Sequence, residues 1–249
     1  MEQGLVSIIT PLYQAQKYIS KTIESVRSQT YENWEMIVVD DCSTDAGSSL
    51  VRAYTTEDSR IRYHRNEKNM GAAQSRNEAM KLARGQYLAF LDSDDLWEPQ
   101  KLEKQIKLMQ EKNAAFVFAG CDVIDDDGKP LQKIRHVPER ITYEKLLWGN
   151  VIPCLTVLID RKKAGDFLMP NIGHEDYATW LNILKKVKEA YGIDEVLGHY
   201  RVNRNSLSGN KLRTIRWTWN IYRNEQHLTV IKSILYLFGH LTQAAKKMR

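Results

Sequence analysis

Four short segments carry residue types whose spacing could do chemistry. The densest is Asp92-Ser93-Asp94-Asp95, directly after the apolar run 87–91 (YLAFL). Carboxylates packed this tightly repel one another, and their charged forms need a compensating cation. Two acids on alternate residues can hold Mg²⁺ or Mn²⁺ from one side and leave the remaining coordination positions to substrate phosphates. The competing reading is a solvated acidic turn before the helix opened by Pro99; the aromatic and apolar flanks weigh against it. The second segment is Asp40-Asp41, followed by Ser43, Thr44 and Asp45. An acid there can accept from a nucleobase N–H or a ribose hydroxyl, or belong to a helix-capping cluster. The third is 69–77 (NMGAAQSRN). Its small residues permit close backbone approach at a helix start, where N–H groups favour anions, and Arg76 can pair with a diphosphate. It contains neither GxGxxG nor GxxxxGK[ST], so a plain Gly-opened helix is the alternative. The fourth is Gly173-His174-Glu175-Asp176 before an amphipathic stretch. A carboxylate there is either a general base for an acceptor hydroxyl or an ordinary helix-start charge.

The elements that must position these residues alternate in type. Residues 6–10 (VSIIT) read as a buried strand stopped by Pro11; 36–40, 61–64, 87–91 and 115–121 read as further strands. Helical spacing covers 17–29, 46–57, 72–83 and the segment after Pro99, where Leu102, Ile106 and Met109 repeat. Strand–helix alternation implies an α/β fold with a mostly parallel sheet, and ligands bind beyond the carboxyl ends of such strands. Thr10, Asp40-Asp41 and the 92–95 acids fall at those ends. The second half is less regular. It offers a β-rich 155–159, a helix carrying Trp180, Leu181 and Leu184, an edge strand at 196–202, a loop at 203–210, and two helical stretches broken near 225–227.

Length and composition bound the rest. The chain has 249 residues, 43% hydrophobic and 27% charged, which excludes wholesale disorder and suffices for one large α/β domain with a small appendage. Cys42, Cys121 and Cys154 form no CxxC, so a disulfide scaffold or zinc site is not expected, and a reducing compartment fits. No signal peptide is read at the N-terminus, and no run reaches the roughly 18 apolar residues of a spanning helix. His64, His136, His227 and His240 show no metal spacing, and no GxSxG elbow is present. Net charge is +5, and residues 211–249 carry eight basic residues against the single acid Glu225. Such a tail can face a membrane, a nucleic acid or an acidic partner.

Taken in order, the segments resemble an inverting family 2 glycosyltransferase with the GT-A fold, of the type that builds bacterial surface polysaccharides. The resemblance covers about residues 4–208. It is carried by VSIITPLYQAQKYISKTIESVRSQTYENWEMIVVDDCSTD, NMGAAQSRNEA, GQYLAFLDSDDLWEP, GHEDYATWL and YRVNRNSLS. It implies a GT-A domain over 1–208, with a nucleotide-binding half at 1–120 and an acceptor half at 121–208, followed by C-terminal amphipathic helices at 209–249. By position, Thr10, Asp41 and Arg76 would hold the donor nucleotide, Asp41 facing the base. Asp92 and Asp94 form the DxD-type motif, and Asp94 with help from Asp95 would meet ribose and the Mn²⁺ or Mg²⁺ that bridges the diphosphate. Asp176 matches the catalytic base, Glu175 its acidic neighbour and Trp180 the aromatic supporting the acceptor side. Two positions depart from the family pattern: Gln14 stands where Asn is usual, and Asn203 where a His often completes the metal and diphosphate site. His199 lies nearby without a guaranteed aim.

The implied activity is single displacement of a sugar from a nucleotide-diphosphate donor, UDP first among them, of hexose or N-acetylhexosamine type. The implied acceptor is a hydroxyl of a glycan or polyprenyl-linked carrier, with no nucleic-acid partner. A sugar-nucleotide pyrophosphorylase would share the acids, but its early Gly-rich basic loop is replaced by PLYQAQ. A nucleic-acid module using the basic tail leaves the strand-end acids unexplained. In the tail, Leu228, Ile231, Leu235 and Phe238 recur at helical spacing, and Val230, Ile234, Leu237 and Leu241 widen that face. Lys232, Ser233, Tyr236 and His240 occupy the other side, and Arg213, Arg216, Trp217, Trp219, Tyr222 and Arg223 mix cations with aromatics upstream. Either the helices pack on the domain or on a second subunit of a homo-oligomer, or they lie in the cytoplasmic leaflet as a peripheral anchor. On the second reading, a chain ending near Asn210 loses the membrane but keeps donor handling.

Overall fold

The computed structural model describes residues 1–202 and 211–246. The chain opens with β1 (Glu2–Leu12), α1 (Ile19–Arg27), β2 (Trp34–Asp40), α2 (Gly47–Glu57), β3 (Ile61–Arg65), α3 (Ala72–Leu82) and β4 (Gly85–Phe90). It continues with β5 (Leu96–Trp97), α4 (Lys101–Glu111), β6 (Phe116–Ile124), β7 (Pro130–Arg135), β8 (Arg140–Thr142) and α5 (Tyr143–Leu146). After a 3₁₀ turn at Cys154–Thr156 come β9 (Leu158–Asp160), α6 (Arg161–Ala164), α7 (Glu175–Val187) and β10 (Glu189–Arg201). The tail is α8 (Lys211–Asn220), a π turn (Ile221–Glu225) and α9 (Val230–Lys246).

One sheet runs in the order β3-β2-β1-β4-β9-β6-β10-β5, with β7 on β6 and β8 on β10. The β3, β2, β1 and β4 strands are mutually parallel, as are β6 and β10, and β9 enters antiparallel between β4 and β6. The sheet is therefore continuous across residue 120. Alternation along the strands feeds two apolar clusters. Val6, Ile8, Met36 and Val38 meet α1, α2 and α4 on one face, while Ile9, Ile37, Val39 and Phe90 meet α3, α7 and the π turn on the other.

Three sequence expectations change. β1 does not stop at Pro11: it runs to Leu12, whose carbonyl accepts the Asp41 N–H at 2.8 Å. Pro11 shares the parity of Ile9, which bonds toward β4, and β4 has ended there, so the missing N–H costs no ladder bond. The edge strand at 196–202 is the end of the 13-residue β10, which lies inside the sheet. Register shifts between Ile193 and Val196 and between Val196 and His199 scramble the alternation that would have revealed it. Third, Trp180 is fully buried between Phe90 and Phe116, with ring centroids 5.5 and 5.4 Å away. It shapes the core under α7, and its ring presents no surface to an acceptor.

Candidate active site

A cavity of about 760 Å³ opens beyond the carboxyl end of β4, walled by the start of α3, the acids after β4, residues 150–155, the start of α7, and α8. Arg76, Asp92, Asp94, Asp95, Glu175 and Asp176 meet in it, although they lie on three separate segments.

Arg76 holds this wall together. Its Nη2 donates to Asp92 and its Nη1 to Glu175, each at 2.6 Å, with the side chain only 6% exposed. Although burial opposes its charge, Asp92 and Glu175 keep the guanidinium protonated well above its ordinary range. The residue assigned from sequence to the diphosphate thus also braces two carboxylates on the cavity wall. Glu175 is the other end of that brace and lines the same cavity.

The acid loop is pinned from behind. The Thr22 hydroxyl lies 3.0 and 2.9 Å from the Ser93 and Asp95 carbonyls. Arg201, 3% exposed, donates its backbone N–H to Asp95 Oδ1 at 2.8 Å and its Nε–H to the Asp94 carbonyl at 2.7 Å. Its Nη1 reaches the Asp125 carbonyl at 2.8 Å. Asp95 is therefore the buried strut of the loop, and burial with the neighbouring Asp94 and Asp92 charges pushes its carboxyl well up. Burial and then Asp92 raise Asp94 to about 6. Asp94 and Asp92 offer hard oxygen donors on an open cavity wall, a set suited to Mg²⁺ or Mn²⁺ when phosphates complete the sphere. No closed cluster of three or more His, Cys, Asp or Glu ligands exists among the described residues.

Asp176 stands at the start of α7, where Asn150 Nδ2 approaches its Oδ2 at 3.4 Å. Burial, then the Glu175 charge, raise its carboxyl to about 6. A base with that affinity is ionised at neutral pH and still able to hold a proton. The preceding turn brings in the tail. His174 sits at φ +59 with its ring edge-on to Trp217 at 5.2 Å. A Cβ on Gly173 would lie 2.0 Å from the Trp217 ring, so only glycine lets α8 seat there.

Two donor residues named from sequence lie off the cavity wall. Thr10 has the strand parity of Ile8, so its side chain stands on the α1 face, fully buried with Oγ1 unpartnered. Asp41, 3% exposed, accepts from Asn66 Nδ2 (2.8 Å), Met70 N–H (2.8 Å) and Gly71 N–H (2.7 Å). It fastens the turn into α3, where Gly71 takes φ +85. Gln14 occupies a left-handed conformation, φ +50, that Asn adopts more readily. Its amide compensates by tying the loop after β1 to Thr44 and Asp45, accepting their N–H groups at 3.2 and 3.1 Å. Asn203 lies outside the described residues. His199 is aimed at Asp122 (2.7 Å) and Glu98 (2.9 Å), away from the acid loop.

Sequence reasoning missed Arg201, Asn150 and the Gly173–Trp217 contact. The Tyr-Arg pair in YRVNRN was the available signal for Arg201; the other two depend on contacts between segments distant in sequence.

Residues 7–159 match the family described as Glycosyl transferase family 2. TuaG of Bacillus subtilis, a glycosyltransferase named for teichuronic acid biosynthesis, is 46% identical over 98% of this chain and 97% of its own. WfgD of Escherichia coli, named a UDP-Glc:α-D-GlcNAc-diphosphoundecaprenol β-1,3-glucosyltransferase, is 38% identical over 99% of this chain and 96% of its own. Among solved structures, S. aureus TarS 1–349 in complex with UDP-GlcNAc superposes with a TM-score of 0.72 at 20% identity, over 93% of this chain and 70% of that one. At that identity the likeness speaks for the fold.

Proposed function

The chain belongs to glycosyl transferase family 2, has the GT-A fold and is a glycosyltransferase of polysaccharide synthesis; from that premise we propose that it moves a hexose from a UDP-sugar to a hydroxyl of a lipid-linked glycan. The observation that carries this reading is the convergence of the Asp92/Asp94 pair, the Arg76 brace and Asp176 in one cavity. The relatives' names support the finer choices: UDP-glucose as donor and a diphosphoundecaprenol carrier as acceptor for WfgD, and teichuronic acid for TuaG. The reaction belongs in this reading to the cytoplasmic face of the membrane. No helix among the described residues is long and apolar enough to cross it.

Mn²⁺ or Mg²⁺ held by Asp94 and Asp92 would neutralise charge on the leaving diphosphate. Arg76 holds Asp92 and Glu175 in place, so the acids need not reorganise when the donor arrives. Arg201 and Thr22 hold the acid loop's backbone against the sheet. Asp176 takes the proton of the acceptor hydroxyl as that oxygen attacks the anomeric carbon opposite the diphosphate, inverting the centre. A panel of sugar nucleotides, with nucleoside diphosphate release measured with and without Mn²⁺, tests the reading. Turnover of a UDP-hexose that needs the cation supports it, and release of inorganic diphosphate from a nucleoside triphosphate plus sugar phosphate overturns it. Calorimetry with UDP should show metal-dependent binding that Asp94→Ala abolishes.

A further inference from the structure

The tail helix α9 is folded inside out. Its inner face is Ser233, fully buried, with Tyr236, Leu237, Gly239 and His240. Tyr236 packs edge-on against Trp148 at 5.1 Å, and His240 lies 5.7 Å from Tyr177. A Cβ on Gly239 would lie 2.1 Å from the Trp148 ring, so the helix backbone presses directly on the domain. Its outer face carries Ile231 (80% exposed), Phe238 (69%), Ile234 (57%), Leu235 (51%), Val230 (50%) and Leu241 (40%). Spacings of three and four place these on one continuous stripe. A surface helix that only packed on its own domain would turn that stripe inward and the Ser, Tyr and His side outward. An apolar patch this continuous marks an interaction surface.

Charge selects the occupant. Residues 211–249 hold eight basic residues and one acid, so the whole net positive charge of the chain lies in the tail. A second copy would bring the same excess of positive charge against itself, whereas an anionic bilayer complements it. We propose that the outer face of α9 lies among the acyl chains at the surface of an anionic bilayer, its axis parallel to the plane. The same hairpin carries Trp217 and Arg213 of α8, which wall the cavity. Docking α9 therefore brings the cavity mouth to headgroup level, where a lipid-linked acceptor presents its glycan; this last step rests on the acceptor reading above, while the bilayer contact does not.

The structure also revises how this can be tested. Ile221 and Tyr222 are fully buried, and the Tyr222 hydroxyl donates to the Leu147 carbonyl at 2.6 Å. A chain ending near Asn210 loses core and cavity wall together, so it cannot separate anchoring from donor handling. The test uses the full chain and Ile231→Gln/Phe238→Gln, both outward-facing. Vesicles of phosphatidylglycerol with phosphatidylethanolamine, and of phosphatidylcholine alone, are floated with each protein, and solution mass is measured by light scattering. Wild type should float with the anionic vesicles, weaken as salt rises, and bind phosphatidylcholine poorly. The double variant should partition at least about tenfold less while releasing UDP from UDP-glucose in solution at the wild-type rate. Wild type that floats with neither vesicle, a variant that floats equally well, or a wild-type dimer split by the variant without vesicle binding each overturns the proposal. Flotation needs neither donor nor acceptor. Its failure leaves sugar transfer standing, and absent UDP release with intact flotation counts against the transfer reading alone.

Discussion

On the wall made by α3 and the loop after β4, the charged groups are braced. Arg76 joins Asp92 to Glu175, and Arg201 and Thr22 hold the loop's backbone. The opposite wall meets the cavity with Val151, Ile152, Leu155 and the Trp217 ring, and its Arg213 is exposed. A cation with a diphosphate has fixed charge and geometry, so a preorganised set of acids serves it. An acceptor varies in shape, and the Trp217 ring on α8 with the aliphatic side chains of residues 151–155 offers it apolar contact. On the function proposed above, the first wall carries the chemistry and the second the recognition, with Asp176 at the seam.

That division can be broken at the seam first. Asp176→Asn should keep UDP binding and the fold while transfer falls about 10²–10⁴-fold, because the amide cannot accept the proton. Near-normal transfer rates would remove Asp176 from the base role. Next, Arg76→Met strips the brace and leaves carboxylates unpaired. Breaking a buried pair costs about 3–5 kcal/mol, and the low end applies here because the Asp92 side chain is 34% exposed. Urea denaturation reads it, and an unchanged midpoint would mean the brace is not structural. On the other wall, Gly173→Ala should cost about 1–3 kcal/mol by driving the Trp217 ring off its seat. UDP affinity should hold steady, and Gly173→Ala/Trp217→Ala should recover most of the loss; a loss of UDP affinity would merge the two walls into one unit.

The smallest effect concerns pH. The Asp94 carboxyl is raised to about 6, so the folded chain binds that proton more tightly than the unfolded chain does. Stability from this group is therefore lost as pH rises from the ordinary carboxylate range through about 6. Asp94→Asn should stabilise the metal-free protein at neutral pH by on the order of 1 kcal/mol and leave its stability below the ordinary carboxylate range unchanged. A destabilised variant at neutral pH would contradict the raised affinity of the Asp94 carboxyl for its proton.

The first wall was legible in the sequence because its chemistry is local. Asp92 and Asp94 follow one strand within four residues, and Asp176 opens one helix. What those acids face was not legible. Arg76 reads as a phosphate ligand until Glu175, 99 residues away, is seen on its other side. Helical spacing located α7 but could not say that Trp180 points into the core. In α9, the apolar and polar faces were both visible, but amphipathicity does not say which face the domain covers. Trp148 and Tyr177, distant in sequence, and Tyr222 of the preceding π turn cover the polar one.

The central claim is direct displacement with Asp176 on the face opposite the leaving diphosphate. With no acceptor present, water takes the hydroxyl's place, so the anomer first released from UDP-α-glucose reports the geometry. Proton NMR of the wild-type reaction, followed from its first minutes before mutarotation, should show β-glucose appearing first and Asp176→Asn releasing little of either anomer. α-Glucose appearing first would mean retention and a covalent or front-face route, and the account of this cavity would fail.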